Sequence, residues 1–232
     1  MSVTQRAIDE IKAMIIRGEL AAGDRLPKEA DLAARLGLSR NSLREAVRAL
    51  TLARILEARQ GDGTYVTSLE PSMLLEPLTF MADFHQDRTL LQVLEVRRIL
   101  EAAVAALAAQ YITDDELAEL RRVVDEMDAC ETVEAFVAND LQFHRIIGAA
   151  SRNPVLASVL DSFSTPMSRA RVWRGVTQAN AIDVTKAQHA ALYDALAHHR
   201  PDVARAVATA HIAGVEAWLE SALDASGVSL VA

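Results

Sequence analysis

Residues 32–50 read Leu-Ala-Ala-Arg-Leu-Gly-Leu-Ser-Arg-Asn-Ser-Leu-Arg-Glu-Ala-Val-Arg-Ala-Leu, and this stretch decides the fold around it. Gly37 suits the left-handed position that closes a helix, and Ser39 is a good N-cap for the next one. Leu43, Val47 and Leu50 then recur at helical spacing on one side. Two short helices joined through Gly37-Leu38-Ser39 have the length and turn of a helix-turn-helix. Upstream, Ile8, Ile11 and Ile15 mark one face of a helix running to Gly18. Gly23 and Pro27 punctuate the loop that follows, and the second helix covers about residues 28–36. Downstream of Ala53 the period changes. Ile55-Leu-Glu-Ala58, Gln60-Gly-Asp-Gly63 and Thr64-Tyr-Val-Thr67 predict a β-hairpin with a glycine-rich tip, a wing.

Charge is divided unevenly along the chain. The formal net charge is −8, yet residues 1–68 carry 11 Lys and Arg against 9 Asp and Glu, while the remainder carries 13 against 23. Between Arg35 and Arg59 lie Arg35, Arg40, Arg44, Arg48, Arg54 and Arg59, with only Glu45 and Glu57 to balance them. Cationic charge gathered on one short segment is what a phosphate backbone requires. An acidic remainder discourages non-specific adhesion elsewhere. The single cysteine, Cys130, excludes an internal disulfide framework and any cysteine-rich zinc module. The first six residues offer no apolar signal core, and no stretch approaches the roughly 18 apolar residues of a membrane span. A cytoplasmic location is therefore expected.

From about Thr89 the sequence is helical almost to its end, in six or seven helices. Thr113-x-x-Glu116 is a capping box, and Asn153-Pro154 and Arg200-Pro201 mark further helix starts. The expected fold is mainly α. A winged helix-turn-helix with a small β-hairpin wing occupies 1–68, and a linker and connecting segment containing Pro71 and Pro77 occupies 69–88. An all-helical antiparallel bundle fills 89–226.

Several polar residues in the bundle fall on apolar stripes. Val133, Val137, Asp140, His144 and Ile147 follow spacings of 4, 3, 4 and 3, which places Asp140 and His144 one turn apart on one face. His189 lines up with Leu192 and Leu196, and His211 with Val207 and Trp218. Buried polar groups need partners. One shared divalent ion would satisfy all four, and a hydrogen-bonded polar core is the alternative. Imidazole with carboxylate suits zinc, nickel or manganese, and the ligand set does not choose among them. Arg97 occupies the stripe Val93, Arg97, Leu100, Val104, Leu107, while Arg98 and Glu101 are expected on another side. An inward arginine wants a bidentate anion, either an internal salt bridge or a bound carboxylate. His85, His198 and His199 show no such pattern and are expected to be solvated.

The N-terminal segments Gly18-Glu-Leu-Ala-Ala-Gly-Asp-Arg-Leu-Pro-Lys-Glu29, 32–50 and Gly61-Asp-Gly-Thr-Tyr-Val66 closely resemble the GntR family of bacterial winged-helix regulators, over nearly all of residues 4–67. That resemblance implies that Arg40, Asn41, Ser42 and Arg44 face DNA from the start of the recognition helix, with Arg48 and Gly61 nearby. Arg35 belongs to the same basic segment. Arginine there can bond guanine bidentately, and Asn41 and Ser42 can reach phosphate or base edges. Two departures stand out. Ala30 replaces an arginine common in members resembling FadR, and Asp62 puts a negative charge at the wing tip. Farther on, Glu95-Val-Arg-Arg-Ile-Leu-Glu101, Asp140-Leu-Gln-Phe-His144, Asn153-Pro-Val-Leu, His189-Ala-Ala-Leu and His211 resemble the FCD-type effector and dimerisation domain of the FadR subfamily, from about residue 90 to 222. The resemblance implies metal binding at Asp140, His144, His189 and His211, and an effector carboxylate on Arg97. Gln188 departs from the acidic residue common at its position.

These features predict a homodimeric DNA-binding transcription regulator, with repression the expected outcome. It would read a pseudo-palindromic operator and respond to a small organic acid or sugar acid. A metal-dependent hydrolase fused to a DNA-binding head is the alternative. No Gly-x-Ser-x-Gly or His-Glu-x-x-His motif supports it, so no catalytic residue is expected.

Overall fold

The computed structural model describes residues 2–71 and 88–225. The chain divides into two units, Met1–Leu74 and Leu75–Ala232. Most of the expected linker, residues 72–87 and with them Pro77 and His85, lies outside the described residues, as do residues 226–232.

The first unit is built from α1 (Val3–Ile16), α2 (Glu29–Leu36), α3 (Arg40–Leu52), β1 (Leu56–Arg59) and β2 (Gly63–Val66). Gly37 closes α2 in the left-handed region at φ 63°. The Ser39 hydroxyl accepts the Ser42 N–H at 3.1 Å and opens α3. Ile11, Met14, Leu32, Leu43, Leu50, Leu56 and Val66 form the core, with Ile8, Ile15 and Val47 half-buried around it. Each such side chain contributes about 1.5–3 kcal/mol by leaving water. The hairpin pairs Leu56 with Val66 and Arg59 with Gly63. Gly61, at φ 76°, supplies the left-handed residue of its turn.

Residues 23–27 read as a loop in sequence, but they lie along the free edge of β2. Leu26 N–H donates to Thr64 O at 2.8 Å, and Val66 N–H donates to Asp24 O at 2.8 Å. A three-residue segment has no alternation to read, and its partner is distant in sequence. Its strand character therefore comes from the pairing alone.

The second unit contains α4 (Arg88–Tyr111), α5 (Asp114–Glu126), a 3₁₀ turn (Met127–Ala129), α6 (Val133–Ala150), α7 (Pro154–Ser162), α8 (Ser164–Thr177), α9 (Ala181–Ala197) and α10 (Pro201–Ala225). Helices α4 and α10, of 24 and 25 residues, pack along each other. At 1.5 Å per residue each spans about 36 Å. One buried cluster gathers Ala105, Ala108, Ala109, Ala204 and Ala208 with Phe143, Ile146 and Leu196. Another gathers Val93, Leu94, Phe163, Met167, Ile212 and Leu219. Along α4 the first cluster begins at Val104 and the second ends at Leu94. Buried Arg97 and Glu101 fill the gap between them, and His211 sits at the same junction on α10. No described helix is long and apolar enough to cross a membrane.

The capping box at Thr113 forms as expected: Glu116 N–H donates to Thr113 Oγ1, and Thr113 N–H donates to Glu116 Oε2. Asn153 caps α7, with Pro154 in its first turn. Glu116 does a second job, receiving the Arg152 guanidinium at 2.6 and 2.7 Å. Arg152 itself holds a left-handed φ of 57°. Its guanidinium, aided by Thr113, lowers the Glu116 carboxyl from 4.5 to about 2. A carboxyl lowered by folding adds stability above its ordinary pKa, and that contribution is lost as pH falls through the folded value. Glu116→Gln should therefore have a shallower loss of stability than the parent between pH 4.5 and about 2. Urea midpoints at several pH values across that window measure it, and equal slopes would remove Glu116 from the acid response.

Candidate metal centre and nucleic-acid face

Three helices of the second unit bring four donors to one point. Asp140 and His144 stand one turn apart on α6, His189 comes from α9 and His211 from α10. One ligand atom from each lies within 4.8 Å of all the others, in a group that could hold a metal ion. Asp140 Oδ1 is 3.4 Å from His189 Nε2 and 3.7 Å from His144 Nε2. Two ligands each about 2.1 Å from one tetrahedral ion stand roughly 3.4 Å apart, so the spacing fits. Asp140, His189 and His211 are buried, and His144 is nearly so.

Two of the nitrogens that face this point have no hydrogen-bond partner, whereas two of those behind it meet an oxygen. His144 Nε2 and His189 Nε2 are buried without a hydrogen bond, as is His189 Nδ1, while Asp140 Oδ2 meets Arg171 Nε at 2.8 Å. Behind them, His144 Nδ1 faces Glu101 Oε2 at 3.2 Å, and His211 Nδ1 donates to Gln188 Oε1 at 2.8 Å. An imidazole that gives its outer N–H to an oxygen presents its other nitrogen as a lone pair, the arrangement of metal-bound histidines. Gln188, the departure noted in sequence, thus supplies a neutral acceptor for His211. His189 stacks on Phe143, with ring centroids 3.9 Å apart. The four donors fit an ion with nitrogen and oxygen preference.

Electrostatics favours a cation at the same place. Burial lowers His189 and His211, aided by the charge of neighbouring imidazoles, and His211 falls to about 3. Burial also opposes charge on His144, but Glu101 and Asp140 outweigh it and raise His144 to about 9. Burial works against the Asp140 and Glu101 carboxylates too. Arg171 and His144 overcome it for Asp140, Arg97 and His144 overcome it for Glu101, and both remain ionised.

Glu101 corrects the sequence reading, which placed it on another side from Arg97. It is buried and accepts from Arg97 Nε at 2.7 Å. The pair is four residues apart, hence on one helical face. A helix packed against α6, α9 and α10 buries more than the single stripe that apolar spacing reveals. The internal salt bridge considered for Arg97 thus exists, and Arg97 still lines a neighbouring cavity.

That cavity is bounded by α4, α6, α8, α9 and α10. Arg171 and Arg174 on α8 also line it, beside Asp140, Thr185 and His211. Neither arginine was singled out in sequence, because neither interrupts a clear apolar stripe. Gly175 helps to place them: a Cβ there would meet Val133 Cγ1 at 2.7 Å. A side chain at this position would push α8 from α6.

In the first unit, Arg35, Arg40, Asn41, Arg44, Arg48 and Gly61 are exposed and Ser42 is half-exposed. Arg40, Asn41 and Ser42 form the first turn of α3, and Arg44 follows one turn later. Arg44 pairs with Glu29 at 3.2 Å, Arg48 with Glu45 at 2.9 Å, and Arg35 with Glu19. The Asp62 charge at the wing tip is answered by Arg25 at 3.5 Å and by the Tyr65 hydroxyl, which donates to it at 2.6 Å. Arg59 lies over the Tyr65 ring at 4.1 Å. The tip is thus less repellent to phosphate than its sequence suggests.

Residues 3–66 match the family described as bacterial regulatory proteins, gntR family, and residues 92–214 match the FCD domain. The chain is 31% identical to the HTH-type transcriptional regulator LutR of Bacillus subtilis, over 88% of this chain and 94% of that protein. It is also 31% identical to the galactonate operon transcriptional repressor of Escherichia coli, over 92% of this chain and 95% of that one. Among solved structures it is similar to Streptococcus agalactiae GntR, with TM-score 0.74 and 30% identity, covering 94% of this chain and 100% of that one.

Removing one member of a buried ion pair costs about 3–5 kcal/mol, because the other charge stays behind. Glu101→Leu strands Arg97 and His144 together and should lose stability on that scale. The double variant Arg97→Met with Glu101→Leu should recover much of the loss. Guanidinium denaturation of both variants checks this, and a single variant as stable as the parent would show that the pair bears no load.

Proposed function

The chain belongs to the gntR family of bacterial regulators and carries an FCD domain, so it is a DNA-binding transcription regulator, and we propose that a small carboxylate and a divalent metal in the helical unit control its hold on an operator. The observation that carries this reading is the four-donor cluster beside an arginine-lined cavity. Asp140, His144, His189 and His211 would hold one ion per protomer, which would supply a Lewis acid beside the ligand. Arg97 binds the carboxylate, and Glu101 orients both Arg97 and His144. Zinc, nickel and manganese all suit the donor set. The effector acts through its differential affinity for two arrangements of the protein.

Under this reading Arg40, Asn41, Ser42 and Arg44 read the operator, while Arg35, Arg48 and the wing at Gly61 hold the backbone. The exposed ion pairs of Arg35, Arg44 and Arg48 are worth at most about 1 kcal/mol each, so phosphate or guanine can replace their carboxylates readily. One head of this size covers a single half-site, which calls for a homodimer on a pseudo-palindrome, in the cytoplasm where operator DNA lies. The domains are a reader at 1–68 and a sensor and dimerisation unit at 89–226, joined by 69–88. Repression is the favoured sign, in keeping with the named role of the galactonate operon relative, whose operon name also points to sugar acids. A hydrolytic role is not favoured, because Asp140 is a ligand and Glu101 is committed to Arg97 and His144.

Arg44→Ala should weaken operator binding by roughly 1–3 kcal/mol and relax preference at one base position. Arg40→Ala should weaken it too. Gel-shift titrations on a selected operator, with sedimentation to count protomers on the DNA, test both points. Wild-type affinity in both variants would overturn the recognition-helix assignment, and one protomer per operator would overturn the dimer.

His144→Ala should lose bound metal and effector response while keeping operator binding. Arg97→Ala should keep the metal and lose affinity for the acid. Metal content per protomer, measured on protein prepared without chelator or histidine tag, decides between the readings. Full metal retention in His144→Ala, or no uptake by the wild type, would return the four residues to a hydrogen-bonded core.

A further inference from the structure

The cavity beside the metal cluster contains more positive charge than one carboxylate can answer. Three of its lining residues are arginines: Arg97, Arg171 and Arg174. Arg97 gives its Nε to Glu101, and Arg171 places its Nε 2.8 Å from Asp140 Oδ2. Those are the two carboxylates of the cluster, and both are engaged. Arg171 Nη1 is nevertheless buried without a hydrogen-bond partner. Arg174 is only 8% exposed, and among the described residues no carboxylate lies within ion-pair distance of it. Its Nε donates to the neutral amide oxygen of Gln178 at 2.6 Å. A bound divalent ion adds two further positive charges.

A guanidinium removed from water needs an anion or a full set of acceptors. Arg97 on α4 and Arg174 on α8 approach the cavity from different helices, so an acid group held by Arg97 leaves Arg174 and the orphaned edge of Arg171 unanswered. We infer that the effector carries a second anionic group, seated on Arg171 and Arg174, and is therefore a small diacid and not a monocarboxylate. The fork of a guanidinium matches carboxylate and phosphate alike. Val133, Val137, Ile182 and Val215 line the remaining cavity wall. They suit a short carbon chain between the two charged ends. This inference rests on the proposed carboxylate effector and refines it.

The test uses the full zinc-loaded chain and calorimetric titration with two matched pairs, lactate with malate and glycolate with 2-phosphoglycolate. Malate is lactate with one more carboxylate, and phosphoglycolate is glycolate with a phosphate. A second-anion site makes malate bind about tenfold or more tightly than lactate. Arg174→Gln should bring that ratio close to one with zinc content retained, and Arg174→Lys should keep part of the preference. A preference confined to the phosphoglycolate pair supports the second site with phosphate as its group. Lactate and glycolate binding as tightly as their diacid partners overturns the inference and leaves the carboxylate effector standing. A full malate preference in Arg174→Gln also overturns it. Failure of all four acids to bind overturns both.

Discussion

Asp140 stands 3.4 Å from one imidazole and 3.7 Å from another, inside a bundle whose buried clusters are apolar. A carboxylate there survives only if charge is returned to it, and the surrounding helices are placed to do that. Arg171 answers one oxygen from α8, while His144 and His189 face the other from α6 and α9. Glu101 then stands behind His144, and Arg97 stands beside Glu101. The chain of partners runs through α4, α6, α8 and α9, and His211 brings in α10. Apolar packing draws these helices together, but the polar chain sets which residues must meet. That constraint gives the second unit a defined interior.

The same chain joins a metal-type cluster to a ligand-type cavity. Arg97 and Asp140 belong to both: each is tied into the ion-pair network, and each lines the cavity. Buried networks of this kind are coupled, because a charge moved at one point leaves its former partner unanswered at the next. The exposed arginines of the first unit work under the opposite condition. Their carboxylate partners are exposed and screened by water, so those contacts exchange cheaply. The ion pairs of the second unit are thus buried and coupled, while those of the first are exposed and independent.

Much of this was legible from residue order. Gly37 and Ser39 announced the ends of two helices, the period change after Ala53 announced the hairpin, and Thr113 with Glu116 announced a cap. All three features form where local chemistry placed them. Asp140, His144, His189 and His211 stood out because polar groups interrupted apolar stripes, and the fold does gather them. Periodicity failed where burial is not confined to one stripe. Glu101 on α4 was placed on another side from Arg97 and Arg174 on α8 drew no notice, yet both are buried.

Sequence by itself determined the fold class, the helix-turn-helix, the wing and the inward donors, because caps, turns and amphipathic period are local properties of the backbone. Tertiary structure alone decided that Asp24 to Leu26 would run along β2, that Glu101 would join Arg97 to His144, and that Gln188 would orient His211. It also decided that two unremarked arginines would line the cavity. Each of these depends on which segments, distant in sequence, come within hydrogen-bond or ion-pair reach. Those distances are set by how the helices and strands pack, and no short window of sequence contains them.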